Sequence, residues 1–432
     1  MVDKYGQAAL RCKKAGFDLV EVHGAGGCLP TNFLSPNDNQ RNDMYGGSLH
    51  NRMRFLVEIV RSIKKYCGNN YPISIKLSID DCEPNGIRVE ETVEVAKVLE
   101  KEGVSMLNLM MGTHAVVYPS TGFYDINIYL SQAKQIKDAV QIPCMVGLGV
   151  QTASLAESIL ESGQGDFIAL AKQEIADCNW PNKVKNNQED DIRPCIKCLV
   201  GCTDNGIIGH HPIRCAVNPT VYKYYEDKYP QAKVVKNVAV IGAGPAGMEA
   251  ALTLVKRGHK VTVYEKRKIG GTLHEASSAD YKKDIKLFIN YYEKQAQKYH
   301  LNIIQEEATY DTIVNGGYDA CIIATGGKPR TLDVNGLETG KVTYALNYLN
   351  GEVKFDGENA LVIGGGITGA EVAVELAKEG KKVTIIEVMD QFLALPSAVI
   401  PAYQMAVEQA GVKVITGHRL DYVDHDQAII VD

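Results

Sequence analysis

Eleven cysteines are spread over 432 residues, and four of them crowd together. The run "RPCIKCLVGC" holds Cys195, Cys198 and Cys202, and Cys215 follows in "IRCAVNP". The spacing is Cys-x2-Cys-x3-Cys-x12-Cys. Thiolates are soft ligands, and closely spaced cysteines with one more distant are a usual layout for an iron-sulfur cluster. Zinc is the rival, because four thiolates also close a structural zinc site. Four unrelated buried thiols would leave the spacing unexplained. The remaining seven, Cys12, Cys28, Cys67, Cys82, Cys144, Cys178 and Cys321, are scattered. Their default role is that of a small buried hydrophobe.

Two stretches after the thiols carry a different chemistry. "NVAVIGAGPAGMEAALTLVKRGHKVTVYEK" reads as strand, glycine turn, helix and strand, with Gly242, Gly244 and Gly247 in a G-x-G-x-x-G pattern. Glu265 ends the second strand, 23 residues after Gly242. The first glycine permits the tight turn, and the second lets backbone approach a pyrophosphate at the helix N-terminus. The third allows helix and strand to pack closely, and the acid hydrogen-bonds ribose hydroxyls. "ALVIGGGITGAEVAVELAKEGKKVTIIEV" repeats the pattern with Gly364, Gly366, Gly369 and Glu387 at the same spacing. A lone glycine pattern is weak, but strand, helix and acid in register predict dinucleotide binding. Two units predict two dinucleotides. Glu387 would repel a 2′-phosphate, which favours NADH over NADPH.

Elements must position these groups. The first 190 residues alternate apolar runs, "DLVEVH" (18–23), "ISIKLS" (73–78), "MLNLM" (106–110), "PCMVG" (143–147) and "DFIAL" (166–170), with helical patterns. Such runs fit strands buried on both faces of a parallel sheet. The helical pattern opening at Ser48 stops at Gly68, and two others also end in glycine. Repeated β-α units imply a parallel sheet with right-handed crossovers. A closed eight-stranded barrel takes about 250 residues, so five units make either an open α/β sheet or the later part of a barrel.

Composition is that of a soluble globular protein, with 45% hydrophobic and 23% charged residues and a net charge of −6. No polybasic cluster marks nucleic acid or an anionic membrane as partner. No apolar run approaches the ~20 residues of a membrane span, and the N-terminus lacks a signal-peptide layout. The expectation is a cytoplasmic protein, in which a disulfide framework is not expected.

The stretch "AGFDLVEVHGAGGCLPTNFLSPNDNQRNDMYGGSLHNRMRFLVEIV", with "IKLSIDD", "IPCMVGLGV" and "DFIALAKQEIADCNWPNK" following in order, resembles the Old Yellow Enzyme superfamily. With the later motifs the resemblance covers the whole chain. It is nearest to the multidomain 2,4-dienoyl-CoA reductase / 2-enoate reductase group, with trimethylamine dehydrogenase a cousin. The resemblance implies an FMN-binding (β/α)8 TIM barrel, present here as its later strands. An iron-sulfur segment follows, and then two Rossmann-like domains. The implied divisions are 1–188 for the barrel part, 189–232 for the cluster segment, 233–355 for the FAD domain and 356–432 for an incomplete NAD(P)H domain. Met1 would fall inside the barrel and Asp432 inside the nucleotide unit, so both ends look cut.

The resemblance also implies roles for residues. A 4Fe-4S cluster would sit on Cys195, Cys198, Cys202 and Cys215. "YDACIIATGGKPR" resembles the segment that returns to the flavin in two-dinucleotide flavoproteins, which gives FAD to the first glycine turn and NADH to the second. Lys76 stands where relatives usually have Arg beside the flavin, and Gly149 and Lys172 fall in the segments that take the FMN phosphate. Lys172 again replaces Arg, keeping the charge and losing the bidentate fork. His114, five residues before Pro119, matches a His that would assist the substrate carbonyl. Cys28 occupies the place of a Tyr proton donor, with a shorter side chain and a thiol of lower ordinary pKa. The implied reaction carries electrons from NADH through FAD, the cluster and FMN to an activated C=C bond of a small unsaturated substrate. The alternatives are an amine dehydrogenase of the trimethylamine dehydrogenase type and a truncated, non-catalytic remnant. A partial barrel with open edges also predicts a complementary barrel fragment or a second copy as partner.

Overall fold

The computed structural model describes residues 1–112, 121–221, 229–425 and 427–432. The chain divides into two compact units, Met1–Glu174 and Ile175–Asp432.

In the first unit helices and strands alternate: α1 (Val2–Lys14), β1 (Val20–Gly24), α2 (Leu29–Leu34), α3 (Leu49–Cys67), β2 (Ile73–Ser78), α4 (Val89–Lys101), β3 (Met106–Met110), α5 (Ile126–Ala139), β4 (Cys144–Val146), α6 (Ala153–Glu161), β5 (Phe167–Ile168) and α7 (Lys172–Ala176). The strands pair in the order β1-β2-β3-β4-β5, all parallel. Local signals act as expected. The Ser48 side chain accepts from the Asn51 N–H at the start of α3, and Gly68 ends it at φ 84°.

One face of this sheet is dry. Val22, Ile75, Leu77, Leu107, Leu109, Cys144 and Val146 are all buried on it. Burying each such aliphatic side chain contributes roughly 1.5–3 kcal/mol. Tyr129 of α5 binds this side of the sheet, donating to the Leu109 carbonyl at 2.8 Å and accepting from the Gly147 N–H at 3.0 Å. The other face differs from expectation. Burial alternates along β1 and β3 rather than running through them. Among the described residues helices cover one face only, so the residues between the buried ones of β1 and β3 stay half-open. Apolar run length does not distinguish these two cases.

The second unit begins with α8 (Trp180–Lys185) and a π-helical stretch, Val200–Ile208, that carries Cys202. The first nucleotide-type fold follows: β6 (Asn237–Ile241), α9 (Pro245–Lys256), β7 (Lys260–Tyr264), α10 (Leu273–Ala276), α11 (Asp284–Lys298), β8 (Asn302–Ile304), α12 (Tyr310–Asn315) and β9 (Ala320–Ile323). Its sheet order is β8-β7-β6-β9, parallel throughout. After α13 (Ala345–Leu349) come β10 (Asn359–Ile363), α14 (Ile367–Lys378), β11 (Lys382–Ile386), α15 (Ile400–Gln409) and β12 (Lys413–Ile415), forming a parallel sheet β10-β11-β12. The antiparallel pair β13 (Arg419–Val423) and β14 (Ala428–Val431) ends the chain. No helix among the described residues is long and apolar enough to cross a membrane.

Candidate redox site

The four-cysteine segment is folded onto the first nucleotide fold. Cys195, Ile196 and Cys215 pack against a core made by Val240, Ala243, Met248, Ala251, Leu252 and Phe288. Gly201 brings the distant cysteine in. A Cβ there would lie 2.4 Å from the Arg214 carbonyl oxygen, so only glycine lets 214–215 run beside Cys202. The Arg214 N–H donates to the Gly201 carbonyl at 2.9 Å. Lys197 and Leu199, on either side of Cys198, hold left-handed φ of 52° and 60°. Side chains rarely adopt that region, and strained backbone of this kind collects at ligand sites. The Lys197 ammonium pairs with Asp284 at the start of α11, at 3.1 Å.

Backbone amides point at the sulfurs. The Lys197 N–H faces the Cys195 sulfur at 3.5 Å. Burial raises the Cys198 and Cys215 thiols above their ordinary values, and neighbouring thiols add to this. Amides of Val200 at Cys198, and of Val217 and Asn218 at Cys215, pull the other way. Hydrogen bonds to the charged form favour thiolate. Among the described residues no three Cys, His, Asp or Glu side chains are grouped as one bound metal ion requires.

The two glycine turns are built alike. Gly242 and Gly364 sit at φ 100° and 102°. At Gly247 and Gly369 a Cβ would lie 1.8 and 1.9 Å from the carbonyl oxygens of Gly242 and Gly364, so helix and strand touch backbone to backbone. Gly244 is open by contrast, with its nearest neighbour, the Gly271 Cα, 4.0 Å from a built Cβ, and Gly366 has nothing within 4 Å. That empty space lies at the N-termini of α9 and α14, where a pyrophosphate fits. The acids brace the turns. Glu265 accepts from the Ala243 and Arg267 amides, both at 2.7 Å. Glu387 accepts from Gly365 at 2.6 Å and Met389 at 2.8 Å.

In the first unit the register brings His23, Lys76, Asn108, Met145 and Phe167 into one row on the half-open face. Glu21 accepts from Ser74 at 2.9 Å and from Asn108 at 3.1 and 3.3 Å below that row. The Lys76 side chain has neither hydrogen bond nor ion pair among the described residues. Gly149, at φ 68°, and Lys172, which opens α7, follow the C-terminal ends of β4 and β5, the end that Lys76 approaches. Cys28 lies after β1 at the same end and starts α2. His114 lies outside the described residues. Of the scattered cysteines, Cys67 and Cys144 are buried as expected. Cys12, Cys28, Cys82 and Cys178 are half-buried and Cys321 is exposed, so the buried default fails for five of seven.

Two partners of the thiol segment carry no role in the sequence reading: Glu249, and Arg193 of the quoted "RPC". Arg193 precedes the Pro-Cys pair, and its buried guanidinium joins Glu249 of α9. The signal was present as a lone acid in the apolar helix "PAGMEAALTLVK".

Parallel sheets with two glycine turns are the architecture of dinucleotide-binding folds, here joined to a four-thiol segment. Residues 1–191 match the NADH:flavin oxidoreductase / NADH oxidase family, and residues 236–431 match the pyridine nucleotide-disulphide oxidoreductases. The chain is 38% identical to an NADH oxidase of Thermoanaerobacter brockii over 96% of its own length and 65% of that protein. It is 35% identical to a cinnamate reductase of Clostridium sporogenes, over 91% of the chain and 61% of the relative. A solved 2-naphthoyl-CoA reductase in complex with 2-naphthoyl-CoA superposes with a TM-score of 0.92 at 30% identity, covering 99% of this chain and 66% of that one. The chain thus spans just under two thirds of these relatives. It belongs to the multidomain NADH:flavin oxidoreductases of the Old Yellow Enzyme superfamily.

Proposed function

We propose that this protein takes part in NADH-driven reduction of an activated C=C bond in a small unsaturated acid or thioester. The observation that carries the reading is the placing of Cys195 and Cys215 against the core beside α9, the helix of the first glycine turn. Bound FAD would supply hydride exchange with NADH, an iron-sulfur group one-electron transfer, and FMN hydride chemistry toward the substrate. The chain's own residues do the rest. Gly242, Gly244 and Gly247 would admit FAD, and Gly364, Gly366 and Gly369 would admit NADH. Glu265 and Glu387 would meet the adenosine riboses. Cys195, Cys198, Cys202 and Cys215 would hold the cluster.

The thiols favour a multi-iron group over zinc. The Cys-x2-Cys-x3-Cys spacing with one more distant cysteine is a usual layout for an iron-sulfur cluster. Lys76, uncompensated at the C-terminal end of the sheet, fits negative charge on a reduced flavin. Gly149 and Lys172 would take the FMN phosphate, with the first unit as the later part of a TIM barrel. Flavin binding there requires the half-open face to be covered. Cys28 and His114 are the proposed proton donor and carbonyl partner. An acceptor of the cinnamate type is favoured over an amine because the second glycine turn is complete with its acid.

Anaerobic purification with assay of FMN, FAD, iron and labile sulfide tests this reading, followed by mixing with NADH. About four iron and four sulfide per chain, flavin bleached by NADH and reoxidised by a cinnamate-type enoate are expected. Stoichiometric zinc without sulfide, or flavin bleached by an amine and not by NADH, overturns it.

A further inference from the structure

We propose that Arg193 and Glu249 form a charge pair that sets the reduction potential of the group held by Cys195, Cys198, Cys202 and Cys215. This rests on the iron-sulfur reading above. Arg193 is 7% exposed. Its guanidinium donates to the Val217 carbonyl, two residues beyond Cys215. It also donates to both Glu249 oxygens, at 2.9 and 3.3 Å, and lies 4.8 Å from the centre of the Tyr291 ring. Its own backbone N–H is held by Asp177 at 2.9 Å. The cation is therefore fixed against the segment that carries Cys215, on a residue two places before Cys195 in the chain.

Stability does not explain this arrangement. Removing a cation from water costs several kcal/mol, and a buried ion pair is often no better than a packed apolar pair. What the pair supplies is a fixed charge in a medium where charge acts strongly. One-electron reduction adds one negative charge to a thiolate-held group, and the reduced flavin that the first glycine turn would hold is the electron donor. No bond forms or breaks at the pair. A neighbouring cation favours the reduced form and raises the potential, and Glu249 opposes it from the α9 side. Groups just outside the ligands commonly tune metal centres in this way. Through the Val217 carbonyl, Arg193 also fixes the two amides that face Cys215.

The test is an anaerobic redox titration followed by electron paramagnetic resonance and visible absorption. It uses the intact protein, after iron and labile sulfide have been measured. Arg193→Met should move the midpoint to more negative values and Glu249→Gln to more positive ones. Arg193→Lys should move it less than Arg193→Met, and the double variant should fall between the singles. Opposite signs are what a merely structural role would not give. If both singles move the midpoint the same way, or neither moves it while iron and sulfide stay at wild-type levels, the proposal is overturned. If Arg193→Met assembles no cluster, Glu249→Gln decides alone: a positive shift supports the pair, and none or a negative one sinks it. Wild-type protein without iron and sulfide removes the iron-sulfur reading itself, and with it this proposal.

Discussion

The two glycine turns share residue types, spacing and backbone angles, yet their surroundings differ. Strand β6, before the first turn, has β7 on one side and β9 on the other. Its residues Val238, Ala239 and Val240 are fully buried. A Cβ at Gly242 would sit 2.4 Å from the Ala324 carbonyl oxygen, and one at Gly271 would sit 3.0 Å from the Gly244 Cα. Strand β10, before the second turn, pairs only with β11 among the described residues, and Leu361 and Ile363 are each 38% exposed. A Cβ at Gly364 meets nothing within 4 Å. The motif specifies a turn. Whether the turn is walled in depends on strands far away in sequence.

The largest effect should come from adding one methyl group to each first glycine. Gly242→Ala forces both a left-handed φ and displacement of the Ala324 carbonyl. These cost roughly 1–3 kcal/mol for the strain and another 1–3 kcal/mol for the overpacking. Gly364→Ala carries the strain alone. We expect Gly242→Ala to purify without FAD and with a lowered melting temperature. Gly364→Ala should keep FAD at wild-type stoichiometry and lose about tenfold in NADH affinity, equivalent to about 1.4 kcal/mol. Equal loss of FAD in both would erase the distinction between a walled and an open turn.

Much of this organisation is legible in the residues. Strands at 73–78 and 106–110 fall where the apolar runs lie, and Ser48 and Gly68 mark the ends of α3. The offset from glycine to acid holds in both copies because strand-turn-helix-strand geometry fixes it. Other features depend on contacts between distant segments. A run such as "MLNLM" does not say how many of its faces are covered, and here only one is. The acids were expected at ribose hydroxyls, yet in this structure each already holds two loop amides. A short sequence pattern carries no sign of that bracing. Arg193 and Glu249 lie 56 residues apart and meet only once the thiol segment folds onto α9. The division of the chain at 174/175 precedes α8 because Asn218 and Arg193 bind back onto Ile175 and Asp177, contacts that no composition change marks.

A smaller effect should separate the two acids. Glu265 is 9% exposed and tied to the walled turn, whereas Glu387 is only half-buried. Wild-type protein should reduce its FAD faster with NADH than with NADPH, because a carboxylate at the ribose repels a 2′-phosphate. Glu387→Gln removes the charge and keeps one acceptor for the loop amides. Stopped-flow traces should show the preference for NADH narrowing by about tenfold, equivalent to about 1.4 kcal/mol. Glu265→Gln should leave the preference alone and weaken FAD retention. Equal NADH and NADPH rates in wild type would remove Glu387 from the ribose.

The smallest effect concerns the joint between the two turns. Glu371 on α14 is 4% exposed and accepts from Lys282 at 2.6 Å and from the Tyr403 hydroxyl at 2.6 Å. Lys282 precedes α11 of the first nucleotide fold, and Tyr403 belongs to α15 of the second. Burial and the nearby carboxylate both raise the Tyr403 hydroxyl above its ordinary pKa, so it remains a proton donor at neutral pH. Tyr403→Phe removes one donor, keeps the ring's edge-on contact with Tyr281, 6.0 Å away, and leaves the ion pair in place. A hydrogen bond to a charged acceptor contributes roughly 1.5–3 kcal/mol, and the retained lysine should bring the loss to the lower end. In a unit of this size that lowers the melting temperature by about 3–6 °C. FAD content and the NADH preference should stay at wild-type values, because the contact touches neither turn. A changed nucleotide preference at an unchanged melting temperature would mean that this joint positions the open turn, and that the two turns are less independent than their surroundings imply.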